Sequence, residues 1–374
     1  MRFLFVCGGT AGHINPALAV AEKLKVLRPD SEIMFIGANR ELEKKLVPAA
    51  GYELRNITVT GFSRSFSPAG LKHNIDMVRD LRASFKESAG MLSEFRPDAV
   101  IGTGGYVCYP VITKAREMGI RTFLHESNAV PGLAAKLLSG KVDKMFTAFP
   151  GTSGEYRRPD KVLCVGTPVR RTFFNTSRLA AKARLGLPDM PLVVSFWGSL
   201  GAGEMNRIMT DVIRMNTLEN GFYHIHATGN GDRGKQRFIQ NLREKGVIKP
   251  AHTDIRPYID NMGEVMAAAD VIVCRAGAST IAELTLMGRA SILVPSPNVT
   301  NDHQTKNARA VEKVGGGILI PESECTPEKL YNEITVLVRH PQVRERMERA
   351  CAGLGVRDSA DRICKEIFSV IGVD

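Results

Sequence analysis

Short apolar runs alternate with helix-period stretches along almost the whole chain. RFLFVC (2–7) precedes PALAVAEKLKVLR, EIMFIG (32–37) precedes ELEKKLVPAA, and DAVIG (98–102) precedes YPVITKAREM. In the second half PLVVSF (191–196) precedes EMNRIMTDVIRM, YHIHAT (223–228) precedes GKQRFIQNLREK, and DVIVC (270–274) precedes STIAELTLMG. Continuous apolar runs of this length predict parallel strands covered on both faces, and their alternation with helices predicts βαβ units in an open α/β sheet. Two starts resemble each other, RFLFVCGGTAG at position 2 and PLVVSFWGSLGAG at 191, each a strand, a glycine loop and a helix. The pattern therefore predicts two Rossmann-like domains in tandem, 1–165 and 166–357, divided near Gly166-Thr167-Pro168. The stretch 358–374, with DSADRICKEIFSVIG, has an apolar face at helical spacing and predicts a C-terminal helix whose docking surface the pattern leaves open.

Composition narrows the function. At 374 residues the chain is long enough for two domains of ordinary size. Its formal net charge of +11 favours anionic partners. Residues 1–165 hold 23 Lys/Arg against 16 Asp/Glu, so the first half carries most of that attraction. Aromatic residues make up only 6% and there is no Lys/Arg block, which argues against a nucleic-acid groove. Seven scattered cysteines without a CxxC pair argue against a disulfide framework or zinc site and fit a reducing cytoplasm. No apolar run approaches the ~20 residues of a spanning helix. The first apolar run is broken by Gly8-Gly9, unlike a signal peptide. The expectation is a soluble or peripherally bound protein.

The glycine loops carry the candidate chemistry. GGTAGH (8–13) follows the first strand; Asn15 and Pro16 suit an N-cap and first helical position, which would place the loop just before a helix N-terminus. Free N–H groups and the helix dipole favour an anion there, and glycines let it approach closely. A tight strand-to-helix turn without a ligand would look the same. GTGGY (102–106) and WGSLGAG (197–203) repeat the arrangement, so two phosphate-bearing ligands in a cleft explain the set more economically. The G-x-G-x-x-G fingerprint and the acidic residue after the second strand are missing, and no loop has a Walker lysine, which disfavours hydride transfer and P-loop hydrolysis. In CRAGASTIAEL (274–284), Thr280 and Glu283 have capping-box spacing. Alternatively the N–H groups of 278–280 hold a diphosphate while Glu283 accepts ribose hydroxyls.

GGTAGHINPALAVAEKL, GTGGYV, HESNAVPGLAAKLL, GTPVRR, GSLGA, RAGASTIAEL and DHQTKNA, in this order and spacing, resemble the MurG-type glycosyltransferases over essentially the whole chain. The resemblance implies the GT-B fold, two Rossmann-like domains facing each other across a cleft. It implies transfer of N-acetylglucosamine from UDP-GlcNAc to the C4 hydroxyl of MurNAc in undecaprenyl-pyrophosphoryl-MurNAc-pentapeptide (lipid I), with inversion, giving lipid II for peptidoglycan. The alternative is another GT-B nucleotide-sugar enzyme, either a different lipid glycosyltransferase or a UDP-GlcNAc epimerase. Carried over residue by residue, the donor would meet Ile259 through its backbone at uracil. Ala278, Ser279, Thr280, Ile281, Ala282 and Glu283 would hold diphosphate and ribose, Ser199 and Arg170 the diphosphate, and Gln304 the sugar. Thr10, Ala11, Gly12 and Asn128 would close the donor site from the N-terminal side. Gly9, Thr10, Gly102, Thr103, Gly104, Gly105 and Tyr106 would cradle the acceptor pyrophosphate. The chain departs from the family pattern at Trp197 and Leu200, which stand for Gly and Gln in GGSQGA, at Ser127, which stands for Gln in HEQN, and at Tyr109, which stands for a small residue.

The implied chemistry needs a base for the C4 hydroxyl. His13 is the first candidate, because an imidazole with an ordinary pKa of ~6.5 is largely neutral at pH 7; holding the loop by hydrogen bonds is its structural alternative. Glu126 is the second candidate, or an orienting partner. No paired acidic motif builds a metal site, so no cofactor and no obligatory metal are expected. The partners implied are UDP-GlcNAc, lipid I, the anionic inner-leaflet surface on the cytoplasmic side and other cell-wall synthesis proteins, with no nucleic acid. For the membrane, Leu71, Ile75, Val78 and Phe85 form a stripe flanked by Lys72, Arg79, Arg82 and Lys86, which fits either lipid contact or packing on the domain core.

Overall fold

In the computed structural model the described residues are 1–59, 68–174 and 177–373, with side chains for all of these except 68–78 and 300. They form two compact units, 1–170 with 356–374, and 171–355. In the first unit the strands are β1 (Arg2–Cys7), β2 (Glu32–Gly37), β3 (Glu53–Asn56), β4 (Ala99–Gly104), β5 (Arg121–Glu126), β6 (Lys144–Thr147) and β7 (Val162–Cys164). They pair in parallel in the order β3-β2-β1-β4-β5-β6-β7. Its helices are α1 (Ala11–Leu27), α2 (Glu41–Ala49), α3 (Pro68–Phe95), α4 (Cys108–Glu117) and α5 (Leu133–Leu138). The second unit holds α6 (Arg178–Arg184), β8 (Leu192–Phe196), α7 (Gly203–Glu219), β9 (Tyr223–Ala227), α8 (Gly231–Glu244), β10 (Thr253–Arg256) and α9 (Met262–Ala268). It continues with β11 (Val271–Cys274), α10 (Ala278–Met287), β12 (Ser291–Leu293), α11 (His303–Glu312), β13 (Ile318–Leu319), α12 (Pro327–Arg339) and α13 (Pro341–Ala352). Its parallel sheet runs β10-β9-β8-β11-β12-β13.

The central strands show why the apolar runs are unbroken. From Phe3 to Cys7 every side chain of β1 is buried, one set against Phe35, Phe123 and α1, the other against Val107, Val111 and Leu138. The edge strand β3 instead carries Arg55, ion-paired to Glu53 and Glu94 at 2.7 Å. Charge at an edge discourages pairing with another chain.

The boundary falls later than the Gly166 expectation. The N–H groups of Val165 and Gly166 donate to Thr147 O, His125 Nε2–H donates to Gly166 O at 2.8 Å, and Arg170 pairs with Glu22 on α1. These bonds hold 165–170 to the first unit. The C-terminal helix α14 (Ser359–Ile371) belongs there too. Ile363, Cys364 and Ile367 are buried in that core, Phe368 meets Phe3 with ring centroids 6.3 Å apart, and Lys23 on α1 pairs with Asp361.

Along α3, Leu71, Lys72, Ile75 and Val78 of the predicted stripe lie outside the residues described with side chains. Phe85 is used in packing: its ring stands edge-on to Tyr109 at 6.2 Å, with Lys114 over its face. Arg82 and Lys86 are exposed. No described helix is long and apolar enough to cross a membrane.

Candidate functional site

In the first unit the strand order reverses between β1 and β4, and the crevice beyond such a switch point is where open α/β sheets bind ligands. The two glycine loops leave these strands and pack directly on each other. A Cβ on Gly105 (φ +91°) would stand 2.6 Å from Gly8 O, and one on Gly104 (φ +120°) would stand 2.4 Å from His13 Cδ2 and 2.8 Å from Nε2. Glycine is required there by backbone conformation and by space.

The first helix starts earlier than Asn15-Pro16 suggests. Thr10 is the extended N-cap, and its carbonyl accepts from His13 N and Ile14 N, so Ala11, Gly12 and His13 form the first turn. Pro16 sits inside α1, where it removes one backbone bond without ending the helix. His13 is held on three sides. Its Nδ1 lies 2.8 Å from Gly8 O; a carbonyl only accepts, so Nδ1 carries a proton, and in the neutral ring the lone pair is on Nε2. Its own carbonyl accepts from Thr103 Oγ1 at 2.7 Å, and its ring lies against Gly104.

Three expected acceptor contacts are placed differently. Gly102 is inside β4, where a Cβ would stand 2.6 Å from Ile112 and 2.9 Å from Leu124, and Thr103 is buried with its hydroxyl on His13 O. The Gly9 N–H donates to Glu43 Oε1 at 2.7 Å. Gly102 and Thr103 thus serve the core and the loop, and the Gly9 N–H is engaged although Gly9 is exposed; Thr10 and the half-exposed Tyr106 also remain at the surface. Glu43 escaped the sequence reading because one of its partners, Gly9, lies in another loop and its α2 lacks a Ser or Thr cap.

Glu126, at the end of β5, is buried. Its Oε1 accepts from Asn128 N and Nδ2 at 2.9 and 3.0 Å, and Oε2 from Gly132 N at 2.9 Å. This carboxylate therefore closes the loop that carries Asn128. The neighbouring His125 is wholly buried, and burial lowers its pKa. Arg170, expected at the diphosphate, is paired here with Glu22 at 2.9 Å.

In the second unit the order reverses between β8 and β11; Ser199 follows β8 and Ala278 to Glu283 follow β11, while Ile259 follows β10 and Gln304 follows β12. Ser199 lies in the turn between Gly198 and Gly201; its carbonyl accepts from Asn230 N at 3.1 Å. Gly201 and Gly229 touch, since a Cβ on Gly229 would fall 2.2 Å from Gly201 N, so the β9–α8 loop supports the third glycine loop. Trp197 is buried beneath, with the Arg275 guanidinium 5.8 Å from its ring. Leu200, in the same turn, is exposed.

Helix α10 begins after Gly277, so Ala278, Ser279 and Thr280 are its first three residues and their N–H groups precede the first helical bond, Ile281 N to Gly277 O. Thr280 is thus not an N-cap, and the capping-box alternative for Glu283 falls. Glu283 sits in the second turn, buried, accepting from Ser279 Oγ at 3.2 Å; burial pushes its carboxyl up to about 8 against that bond. Ile281 is buried and Ala282 half-buried behind it. The Ile259 side chain is in the core. Gln304 Oε1 accepts from Ser296 N at 2.9 Å. Among the described residues no three His, Cys, Asp or Glu side chains cluster as metal ligands.

Comparison with known proteins fits both halves. Residues 3–147 match the glycosyltransferase family 28 N-terminal domain and residues 192–363 the family 28 C-terminal domain. A protein of Acetivibrio thermocellus named UDP-N-acetylglucosamine--N-acetylmuramyl-(pentapeptide) pyrophosphoryl-undecaprenol N-acetylglucosamine transferase is 40% identical, over 99% of this chain and 98% of its own length. One of the same name from Thermoanaerobacter sp. is 39% identical over 99% and 100%. Among solved structures, Acinetobacter baumannii MurG superposes with a TM-score of 0.71 at 23% identity, covering 98% of this chain and 99% of its own. A UDP-GlcNAc 2-epimerase from Neisseria meningitidis superposes at 0.67 with 12% identity, over 99% and 100%, which is a likeness of fold.

Proposed function

We infer that this chain, which belongs to the MurG-type glycosyltransferases of family 28, transfers N-acetylglucosamine from UDP-GlcNAc to lipid I and so forms lipid II. Full-length identity of 40% to a relative named for that reaction carries the reading. In our reading the first unit supplies the base and the second the donor site. His13 Nε2 takes the proton of the acceptor C4 hydroxyl as its oxygen bonds to C1 of the donor sugar and the bond from C1 to the UDP oxygen breaks. The Nδ1–H bond to Gly8 O supports this role because it selects the tautomer of the neutral ring whose lone pair is on Nε2. The N–H groups of Ala278, Ser279 and Thr280, at the positive end of α10, meet the charge that develops on the leaving diphosphate. No protein-bound metal is needed in this scheme. Glu126 acts by holding Asn128, since both its oxygens are already engaged by its own loop.

We place lipid contact on the first unit, at the cytoplasmic face of the membrane. Leu133 is 59% exposed on α5, beside Lys136, and Arg82 and Lys86 are exposed on α3. The test is transfer of labelled GlcNAc to a lipid I analogue by the wild type and by His13→Ala. Acceptor-dependent disaccharide, lost in His13→Ala while UDP-GlcNAc still binds, is the expected result. Turnover of UDP-GlcNAc without acceptor would make the protein an epimerase or hydrolase. Near-normal transfer by His13→Ala would end the base assignment.

A further inference from the structure

Glu43 is fully buried, and three backbone N–H groups surround its carboxylate. Oε2 accepts from Ala38 N at 2.7 Å and Arg40 N at 3.3 Å, and Oε1 accepts from Gly9 N at 2.7 Å. A glutamate that only caps α2 would need the Arg40 bond alone. The bond to Gly9 reaches 34 residues back along the chain, into the first glycine loop. Burying an ionised carboxylate is costly unless it is well bonded, so the arrangement has a purpose beyond filling space.

That purpose follows from the peptide unit between Gly8 and Gly9. Its N–H donates to Glu43, and its C=O accepts the His13 Nδ1–H. One rigid, planar amide therefore joins the carboxylate to the imidazole. While Glu43 holds the N–H, the carbonyl must point at His13 and fix the ring proton on Nδ1. Polarisation through the amide strengthens the carbonyl as an acceptor. If the peptide turned over, His13 would face an N–H, and Nδ1 would have to give up its proton to accept from it. The neighbours leave little room for rearrangement: a Cβ on Gly8 would stand 2.9 Å from Glu43 Oε1, and one on Gly37 would stand 2.5 Å from Oε2.

We propose that Glu43 is a positioning residue for the transfer reaction, setting the tautomer and orientation of His13 through the Gly8–Gly9 peptide. The proposal rests on His13 acting as the base, but its first test does not. Selective 15N labelling of histidine reads the His13 tautomer directly in the full-length wild type. Protonation at Nδ1 with bare Nε2 is expected; protonation at Nε2 overturns the proposal before any variant is made.

In Glu43→Gln the single carbonyl oxygen can serve Gly9 or the Ala38 and Arg40 pair, and the NH2 group opposes the other side. Kcat is expected to fall roughly 10- to 100-fold, the scale of loss when a reacting group is misplaced. The Kd for UDP-GlcNAc should stay within about twofold, because its proposed residues on α10 are in the other unit. The tautomer signal should become mixed. Because Glu43 acts through His13, Glu43→Gln with His13→Ala should be no slower than His13→Ala alone. Independent, multiplying losses, or Glu43→Gln with wild-type kcat and tautomer, would refute the coupling. If His13→Ala itself keeps turnover, the base reading fails, while the tautomer comparison still decides what Glu43 does.

Discussion

Unit 2 buries titratable groups that pull its stability in opposite directions with pH. His224 and His226 alternate on β9 and share the Ser195 hydroxyl on β8, at 2.8 and 2.7 Å, among Phe222 and Phe238. Burial pushes His224 down to about 3 and His226 well below its ordinary value. On unfolding below pH 6.5 each takes up a proton that the folded form excludes, so stability present above that pH is lost on acidification. Between pH 7.5 and 5 the loss is about 2 kcal/mol per histidine. Glu283 opposes it. Raised to about 8, it is protonated in the fold and releases its proton on unfolding, so its contribution is present at low pH and fades as pH rises through 8. Over the same window acidification regains about 3 kcal/mol from it. For these three groups the net in the wild type is a loss of only about 1 kcal/mol, and Glu283→Gln should expose the full histidine loss of about 4 kcal/mol. Trp197, the single tryptophan, is buried in unit 2, so its fluorescence in urea titrations reports this unit. A Glu283→Gln profile as shallow as the wild type's would refute the opposition.

Two kinetic variants probe the first unit. Gly104→Ala places a Cβ 2.4 Å from the His13 ring at a φ of +120°, and should lower kcat about 100-fold or more with UDP-GlcNAc affinity unchanged by calorimetry. Glu126→Gln can satisfy only one side of the loop it closes; acceptor kcat/KM should fall roughly tenfold with the shape of the pH–rate profile retained. Disappearance of the acid limb in that variant would instead make Glu126 the base.

The alternation of strands and helices was legible because each central strand is covered on both faces, which leaves an unbroken apolar run such as Phe3 to Cys7. Helix starts were less so. Pro16 suits a first helical position, but the backbone closes its first turn on Thr10 instead, and the cost of an internal proline is one bond that no local pattern weighs. The boundary moved to 170 because the Gly166 and Arg170 partners, Thr147, His125 and Glu22, lie far back along the chain. YHIHAT did hold a signal: histidines two apart on a buried strand share a face, which predicts a common partner such as Ser195.

The glycine loops show where motif reading needs geometry. A glycine-rich loop after a strand suggests a ligand that must come close, and two of these loops do lead into the first turns of α1 and α10. Yet Gly104 and Gly105 are glycine because His13 and Gly8 occupy the space, Gly229 because the Gly201 backbone does, and Gly201 because Thr228 O does. The close approach is first between loops, and only through them to a ligand. That distinction explains why a carboxylate can sit behind a loop expected to attract anions. Glu43 takes the Gly9 N–H, while Gly8 O accepts the His13 Nδ1–H. The first loop thus uses one peptide unit, Gly8–Gly9, to tie Glu43 to His13, and its next residue, Thr10, to open α1.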